Sequence, residues 1–190
     1  MTAGRTDMRE AIMAAARAAV QARGYNALSF RDLAAEVGIK SASVHYHFPT
    51  KGDLAVALAR RYTDEGEAFL AEIIGASSDA SWCMDQYTKI FRAALVNDNR
   101  MCLCGIMSAE LDNLPESVRA EVDRFTEMNV AWLGRVLSLA RPEARTDVVD
   151  EHAMAIFSAI EGAQLVARGR GRIDVYDRTI EAYRANGLIP

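Results

Sequence analysis

The sequence has no long apolar run and no basic segment followed by an apolar one at its start. A membrane-spanning helix needs about 20 mostly apolar residues, and a secretory signal needs an apolar core behind a basic segment. We therefore expect no membrane partner and a cytoplasmic location. Cysteine is also scarce: three cysteines cannot all pair, and Cys102 and Cys104 are too close in sequence for an easy mutual disulfide. This cysteine content is typical of a reducing compartment.

Residues suited to catalysis or metal binding are few as well. Of the three histidines, only His152 lies in the second half of the chain, so no spacing typical of a metal site is present. No glycine-rich phosphate loop and no Ser-His-Asp order stands out, and the carboxylates occupy predicted solvent faces. The sequence therefore predicts no enzyme, no metal and no cofactor.

The apolar residues that are present recur at helical spacing, without β-alternation, repeats or low-complexity tracts. Turn residues such as Asn97-Asp98-Asn99 separate the apolar segments. This pattern predicts an all-α fold of about nine helices. Two short helices lie within 29–48, and the others span 7–23, 51–73, 81–96, 101–111, 115–140, 146–168 and 172–185.

Charge is unevenly distributed along the chain. The net charge of −4 is the sum of a basic beginning and an acidic remainder. Residues 1–62 hold nine Lys/Arg and five Asp/Glu, a net charge of +4, and the other 128 residues carry −8. This asymmetry is expected if only the beginning of the chain meets phosphate groups.

The two short helices read as a helix-turn-helix. Ser29 and Asp32 form a capping box at the start of the first helix, and Gly38 suits its end. The second helix, 40–47, carries small or hydrogen-bonding side chains at almost every position except Val44. So polar a helix cannot be stabilised by burial alone, which favours a role in the DNA major groove.

The segment 44–54, VHYHFPTKGDL, resembles the signature that closes the DNA-binding domain of the TetR/AcrR family of transcription repressors. The segment 24–34, GYNALSFRDLA, resembles the family's pattern before the helix-turn-helix. The similarity extends from about Arg9 to Leu58. It implies a three-helix DNA-binding domain, 1–50, and a helical regulatory domain for ligand binding and dimerisation, 51–190.

The resemblance also implies roles for particular side chains. Residues at the start of the second helix reach base edges, and those at its end contact phosphates. The full set expected at DNA is Ser29, Arg31, Lys40, Ser41, Ala42, Ser43, His45, Tyr46, His47 and Lys51. The family usually has Tyr in place of His45, whose imidazole has a shorter reach. Packing against the first helix is an equally open role for His47 and the expected one for Phe48.

The second half of the chain offers two candidate sensing sites. Aromatic and Met side chains suit an apolar ligand pocket, although a bundle core requires the same residues. The pocket candidates are Tyr87, Phe91, Met107, Phe125, Met128 and Trp132. Cys102 and Cys104 lie at a predicted helix start beside Arg100, which favours a reactive thiol, and they resemble a segment of a redox-sensing branch of the family. Burial as small hydrophobes is the favoured interpretation of both cysteines.

Taken together, these features predict a homodimeric transcription regulator with double-stranded operator DNA as its partner. The resemblance places the dimer interface on the last two helices, and small residues at Ala155, Ala159, Gly162 and Ala163 permit close packing there. Two-fold symmetry would match a palindromic operator. The predicted activity is repression relieved by a small-molecule inducer. The alternatives are a repressor that senses oxidants or electrophiles through Cys102 and Cys104, and a helical ligand-binding protein that does not bind DNA.

Overall fold

A computed structural model describes residues 3–190, with side chains from Asp7 onward. Over this range the chain forms nine α-helices, two one-turn 3-10 helices and no strand, which confirms the all-α prediction. The helices are α1 (Ala3–Arg23), α2 (Phe30–Val37), α3 (Ser41–His47), α4 (Lys51–Ala76), α5 (Ala80–Val96), α6 (Leu103–Ser108), α7 (Glu116–Ala140), α8 (Thr146–Arg170) and α9 (Ile173–Ala185). None of these described helices has the length and apolar character required to cross a membrane.

Local side-chain caps set the helix boundaries near the start of the chain. Ser29 Oγ accepts the Asp32 N–H at 3.3 Å and begins α2. At the start of α4, the Asp53 N–H donates to Thr50 Oγ1 at 3.1 Å and the Thr50 N–H donates to Asp53 Oδ2 at 3.0 Å. Gly38 ends α2 in the left-handed conformation, with φ 75° and ψ 33°. These contacts confirm the predicted capping signals, since each depends on neighbours three or four residues away.

The first of two compact units comprises the described residues up to Thr63 together with Leu103–Asp123. It contains α1 to α3, the first half of α4, α6 and the first turns of α7. Arg60 Nε donates to Glu121 Oε1 at 2.9 Å and links α4 to α7. The buried apolar side chains of this unit include Ile12, Ala16, Val20, Leu33, Val44, Leu54, Leu58, Met107 and Val118.

The second unit comprises Asp64–Cys102 and Arg124–Pro190. In it α5, α8 and α9 pack against one another. The Tyr176 hydroxyl on α9 donates to the Thr88 carbonyl on α5 at 2.8 Å, so the packed helices also satisfy their buried polar groups. The largest buried side chains of this unit include Met84, Tyr87, Trp132, Leu133, Ile156, Ile160 and Tyr176.

The two units follow spatial packing and are each built from two stretches of the chain. The predicted functional division at residue 50 concerns DNA binding and regulation, and it stays a prediction. Helix α4 contributes Lys51–Thr63 to the first unit and Asp64–Ala76 to the second.

Helix α6 is shorter than the predicted 101–111, because it spans Leu103–Ser108 and is followed by a 3-10 turn at Leu111–Asn113. Ser108 Oγ donates to the Cys104 carbonyl at 2.9 Å, and the Glu110 N–H bonds to the Met107 carbonyl at 2.9 Å. Bonds to the residue three positions back replace the α-helical ladder here, so the helix ends early.

Candidate DNA-binding surface

Helix α3 is held by one buried side chain and leaves its polar side chains in solvent. Val44 has no exposed surface, whereas Tyr46 is 69% exposed. Phe48, directly after the helix, is buried. The guanidinium of Arg9 on α1 lies over its ring, with Arg9 Cζ 4.9 Å from the ring centroid. This contact confirms that Phe48 packs against the first helix. The anchors at Val44 and Phe48 therefore turn one side of α3 inward and the other outward.

The structure places the predicted base-reading residues at the start of α3. Lys40 is the N-cap residue, directly before the helix, and it is exposed together with Ala42. Ser41 and Ser43 are partly exposed. The Ser43 N–H donates to the Lys40 carbonyl at 2.8 Å, which closes the first turn. Short polar side chains at an exposed helix start are the groups that can enter a major groove and bond to base edges.

The turn before α3 is rigid for its length. Gly38 donates to the carbonyls of Ala34 and Ala35, and the Ile39 N–H donates to Ala34 O at 2.9 Å. Leu33 and Ala34 are buried. These bonds and contacts fix the direction in which α3 leaves α2, which is the feature that orients a recognition helix.

Ser29 and Arg31, the two DNA candidates at the start of α2, differ in their present contacts. Ser29 Oγ accepts from the Asp32 N–H, and its own hydroxyl hydrogen is still able to donate. The Arg31 side chain is 89% exposed and lies 3.4 Å from Asp32 Oδ1 through Nε. An ion pair this exposed contributes little to stability, so Arg31 can be redirected to a phosphate at low cost.

His45 and His47 both make aromatic contacts in addition to their exposed edges. The His45 ring meets Phe30 edge-on with centroids 4.7 Å apart, and its Nδ1 lies 3.4 Å from the Pro49 carbonyl oxygen. The His47 ring meets the Tyr46 ring edge-on at 5.3 Å. The Phe30 contact restrains the direction of the His45 imidazole. A phosphate contact by either histidine stays a prediction.

Lys51 occupies a small cluster that local sequence patterns do not reveal. Its Nζ lies 4.2 Å from the Tyr25 ring centroid and donates to the Asn26 carbonyl at 3.4 Å. The Asn26 N–H donates to Glu110 Oε2 at 3.1 Å. Burial lowers the pKa of Lys51, and the nearby Glu110 charge opposes that effect. Lys51 thus helps to hold the loop before α2, and its expected phosphate contact stays a prediction.

The candidate pocket residues of the second unit form an aromatic core. Tyr87 stacks on Trp132 with centroids 5.1 Å apart, and Phe125 meets Phe157 edge-on. The Tyr87 hydroxyl donates to Asn129 Oδ1 at 2.9 Å. Trp132 Nε1 donates to the carbonyl of the buried Leu70 at 2.7 Å. The buried polar atoms of the stacked pair are thus satisfied within the protein.

The remaining pocket candidates differ in location. Phe91 is buried beside Tyr87, and Met128 is partly exposed. Met107 is buried in the first unit, on α6. The use of these six side chains as a ligand pocket stays a prediction.

All three thiols are buried, with Cys83 at 0%, Cys102 at 2% and Cys104 at 1% exposed. Burial raises the pKa of Cys83, and the Asp79 charge adds to the effect. A sensor thiol must ionise and be reached by its oxidant, so burial works against that role. The redox function of Cys102 and Cys104 stays a prediction.

Sequence patterns missed two polar residues on α8. Gln164 has no exposed surface; its Oε1 accepts the Cys102 N–H at 2.9 Å and its Nε2 donates to the Phe91 carbonyl at 2.7 Å. The carboxyl oxygens of Glu161 are buried too, so the expectation that carboxylates occupy solvent faces is wrong at this position. The one available signal was helical phase, since both residues lie next to the apolar stripe that includes Ile160.

Comparisons with known proteins agree with this geometry. The family model described as bacterial regulatory proteins of the tetR family matches residues 12–58, which include the whole helix-turn-helix. A TetR transcriptional regulator from Legionella pneumophila is 33% identical, with coverage of 95% of this chain and 96% of that chain and a TM-score of 0.86. A TetR-family regulator from Agrobacterium tumefaciens is 29% identical over 92% of this chain and 94% of that one, with a TM-score of 0.85.

A more distant structure shares the fold alone. The reduced form of NemR from E. coli is 18% identical, with coverage of 96% and 97% and a TM-score of 0.79. A comparison with proteins of curated function finds no match. The likeness to the Legionella protein extends over nearly the full length of both chains. The segment matched by the family model includes the exposed recognition helix α3. The chain therefore belongs to the TetR family of DNA-binding transcriptional regulators.

Proposed function

We propose that this protein is a homodimeric repressor that binds a palindromic operator and is released from it by a small-molecule inducer. The observation that supports DNA recognition most directly is helix α3, whose polar side chains are exposed while Val44 and Phe48 anchor it. The net charge of +4 on residues 1–62 supplies the attraction to phosphate. The acidic remainder of the chain would be repelled by DNA, which limits the contact to the helix-turn-helix.

The test is a fluorescence-anisotropy titration with DNA from the region upstream of the protein's own gene. We expect nanomolar affinity at about 50 mM salt and a loss of about 100-fold or more at about 200 mM salt, because bound phosphates release counterions. A scrambled duplex of equal length should bind far more weakly. Weak binding that is equal for both duplexes, over any upstream fragment tried, would contradict operator recognition.

Within α3, base reading and phosphate binding are separable by mutation. Lys40→Ala is expected to reduce the preference for the operator over a base-substituted duplex, because Lys40 is exposed at the helix start. Tyr46→Phe removes one hydroxyl and is expected to weaken both duplexes alike, by about tenfold, since a phosphate contact carries no sequence information.

Lys89→Ala is the matched control for Lys40→Ala, because it removes the same charge from an exposed position on α5. It should leave both affinities unchanged. If Lys40→Ala weakens both duplexes equally, Lys40 does not read bases.

Helix α8 carries the surface that we assign to the homodimer. Its apolar side chains Met154, Leu165 and Val166 are 46%, 55% and 54% exposed, an unusual exposure for three apolar residues of one helix. The small residues Ala159 and Gly162 lie between them and permit close approach of a second copy. Burial of this surface in a symmetric dimer would remove it from water and set two α3 helices side by side on DNA.

Leu165→Glu is expected to convert the dimer into a monomer, because two buried carboxylates would face each other across the two-fold axis. Light scattering after size-exclusion chromatography measures the mass directly. Operator affinity should fall by at least about 100-fold, since a monomer holds one half-site. Leu139→Glu, at an apolar position of α7 that is 42% exposed, is the control and should remain dimeric.

Induction is proposed to act as a population shift. The inducer would favour a conformation of the second unit in which α4, which contributes to both units, moves the two α3 helices away from the groove spacing. Complete release requires an inducer preference of about 5.5 kcal/mol for that conformation, whereas tight binding without a preference would change nothing.

A further inference from the structure

Glu161 is a buried acid for which the fold supplies no conventional partner. Neither Oε1 nor Oε2 is exposed, and neither accepts a hydrogen bond from an N–H or O–H group of the described residues. The residue as a whole keeps partial exposure, so its carboxyl group lies just beneath the surface of the second unit. Unpartnered buried polar groups are rare in folded proteins because each costs free energy, and acids with a strongly perturbed pKa cluster at functional sites.

Three titratable groups on other elements of the second unit interact electrostatically with Glu161. They are Tyr87 on α5, Cys102 in the segment before α6 and Tyr176 on α9. Both tyrosine hydroxyls donate elsewhere, to Asn129 and to the Thr88 carbonyl, so neither supplies a proton to the acid. The Cys102 thiol is a weak hydrogen-bond donor, and it offsets only part of the effect of burial on the Glu161 carboxyl group.

Burial and charge affect the pKa of Glu161 itself and the pKa of the two tyrosines. Burial raises the pKa of Glu161 to about 7, although the Cys102 thiol opposes the effect. Burial also raises the pKa of Tyr87 and Tyr176, and the Glu161 charge adds to this rise. No arginine or lysine in the described chain acts on the carboxyl group strongly enough to offset its burial. Above its raised pKa the site therefore holds a negative charge that a positive group from outside the chain can neutralise.

We propose that Glu161 anchors a binding site for an organic cation, a protonated amine attached to an apolar or aromatic group. The carboxylate would form a charge-assisted hydrogen bond with the ammonium group, which would otherwise be missing from this buried acid. In one respect the inference rests on the proposed function, because it identifies this cation as the inducer of the repressor.

Binding of a cation requires the ionised acid, so affinity depends on pH. An acid with a pKa of about 7 is mostly ionised at about pH 8 and about 3% ionised at about pH 5.5. Affinity for an amine that stays protonated throughout is therefore expected to be about 30-fold weaker at the lower pH. A neutral ligand of the same shape should show no such dependence.

The test is calorimetric titration of the full-length protein, without DNA, with benzylamine and with benzyl alcohol. Benzylamine is expected to bind the wild-type protein at about pH 8 and to bind it more weakly at about pH 5.5. At about pH 8 its affinity for Glu161→Gln should be at least about tenfold weaker than its affinity for the wild-type protein. Benzyl alcohol shares the ring but carries no charge, and should bind both proteins weakly at both pH values. Glu161→Asp keeps the charge and should retain part of the affinity.

Equal affinity for benzylamine and benzyl alcohol in the wild-type protein, or no binding of benzylamine, would overturn the site without reliance on any variant. The anisotropy titration then tests the inducer separately. Benzylamine that binds through Glu161 but leaves the operator complex intact would overturn its identification as an inducer. Failure of the protein to bind operator DNA would instead overturn the proposed function, and the calorimetric result would still decide the cation site.

Discussion

At about pH 8 the Glu161→Gln variant is expected to be more stable than the wild-type protein, by roughly 3 kcal/mol. Burial raises the pKa of this acid to about 7, so the folded protein holds the proton more tightly than the unfolded chain does. The wild-type protein therefore loses stability as the pH rises from the ordinary pKa of glutamate to about 7, and the loss is complete above it. Glutamine has nearly the same shape and no charge, so it avoids this loss.

The difference in stability between Glu161→Gln and the wild type should become smaller as the pH decreases. At about pH 4 the two proteins should be similar in stability, because the acid is neutral in the folded protein. Thermal unfolding at several pH values measures it, with an expected rise in Tm of roughly 6–12 °C at about pH 8. Glu151→Gln changes an exposed glutamate on the same helix and is the control, with no expected pH-dependent difference. A Glu161→Gln variant that is no more stable than the wild type at about pH 8 would contradict a buried, unpaired carboxylate.

Gln164→Ala is expected to destabilise the protein by roughly 3–5 kcal/mol. The Gln164 amide bonds both the Cys102 N–H and the Phe91 carbonyl, at 2.9 and 2.7 Å, and has no exposed surface. Alanine would leave these two main-chain groups without their bonds and create a cavity, and each effect has its own cost. Urea unfolding followed by circular dichroism gives the difference in free energy.

Gln86→Ala is the control, because Gln86 is a partly exposed glutamine in the same unit. It should change stability by no more than about 0.5 kcal/mol. If Gln164→Ala costs no more than this control, the two hydrogen bonds are not important to the fold. A large loss would show that the segment before α6 is tied to α5 through a side chain of α8.

Most of the fold was predictable because helices depend on contacts between residues a few positions apart. The apolar periodicity predicted nine helices, and nine lie in the described residues, most of them within a few residues of their predicted ends. Ser29, Gly38 and Thr50 adopt their predicted capping roles for the same reason. Helix α6 was the exception, because main-chain bonds to the residue three positions back replace its α-helical bonds after Ser108.

Recognition helix α3 was found from sequence because its lack of apolar side chains is itself a local pattern, and Val44 is its one buried residue in the structure. The surroundings of Lys51 were not predictable. Its neighbours Tyr25 and Asn26 precede α2, and Asn26 lies 25 residues before Lys51. The Glu110 carboxylate that accepts the Asn26 N–H lies 84 residues after Asn26. Periodicity carries no information about such pairs.

Sequence alone thus determined the all-α fold, the helix-turn-helix and the family resemblance, since each is encoded by residues close together in the chain. Tertiary structure decided which polar side chains are buried and what they meet. Glu161 and Gln164 lie three residues apart on α8, yet the Gln164 side chain makes two hydrogen bonds and the Glu161 carboxyl accepts none from an N–H or O–H group. That difference depends on where α5, α9 and the segment at Cys102 lie in space, because burial and hydrogen bonding are set by neighbours distant in sequence.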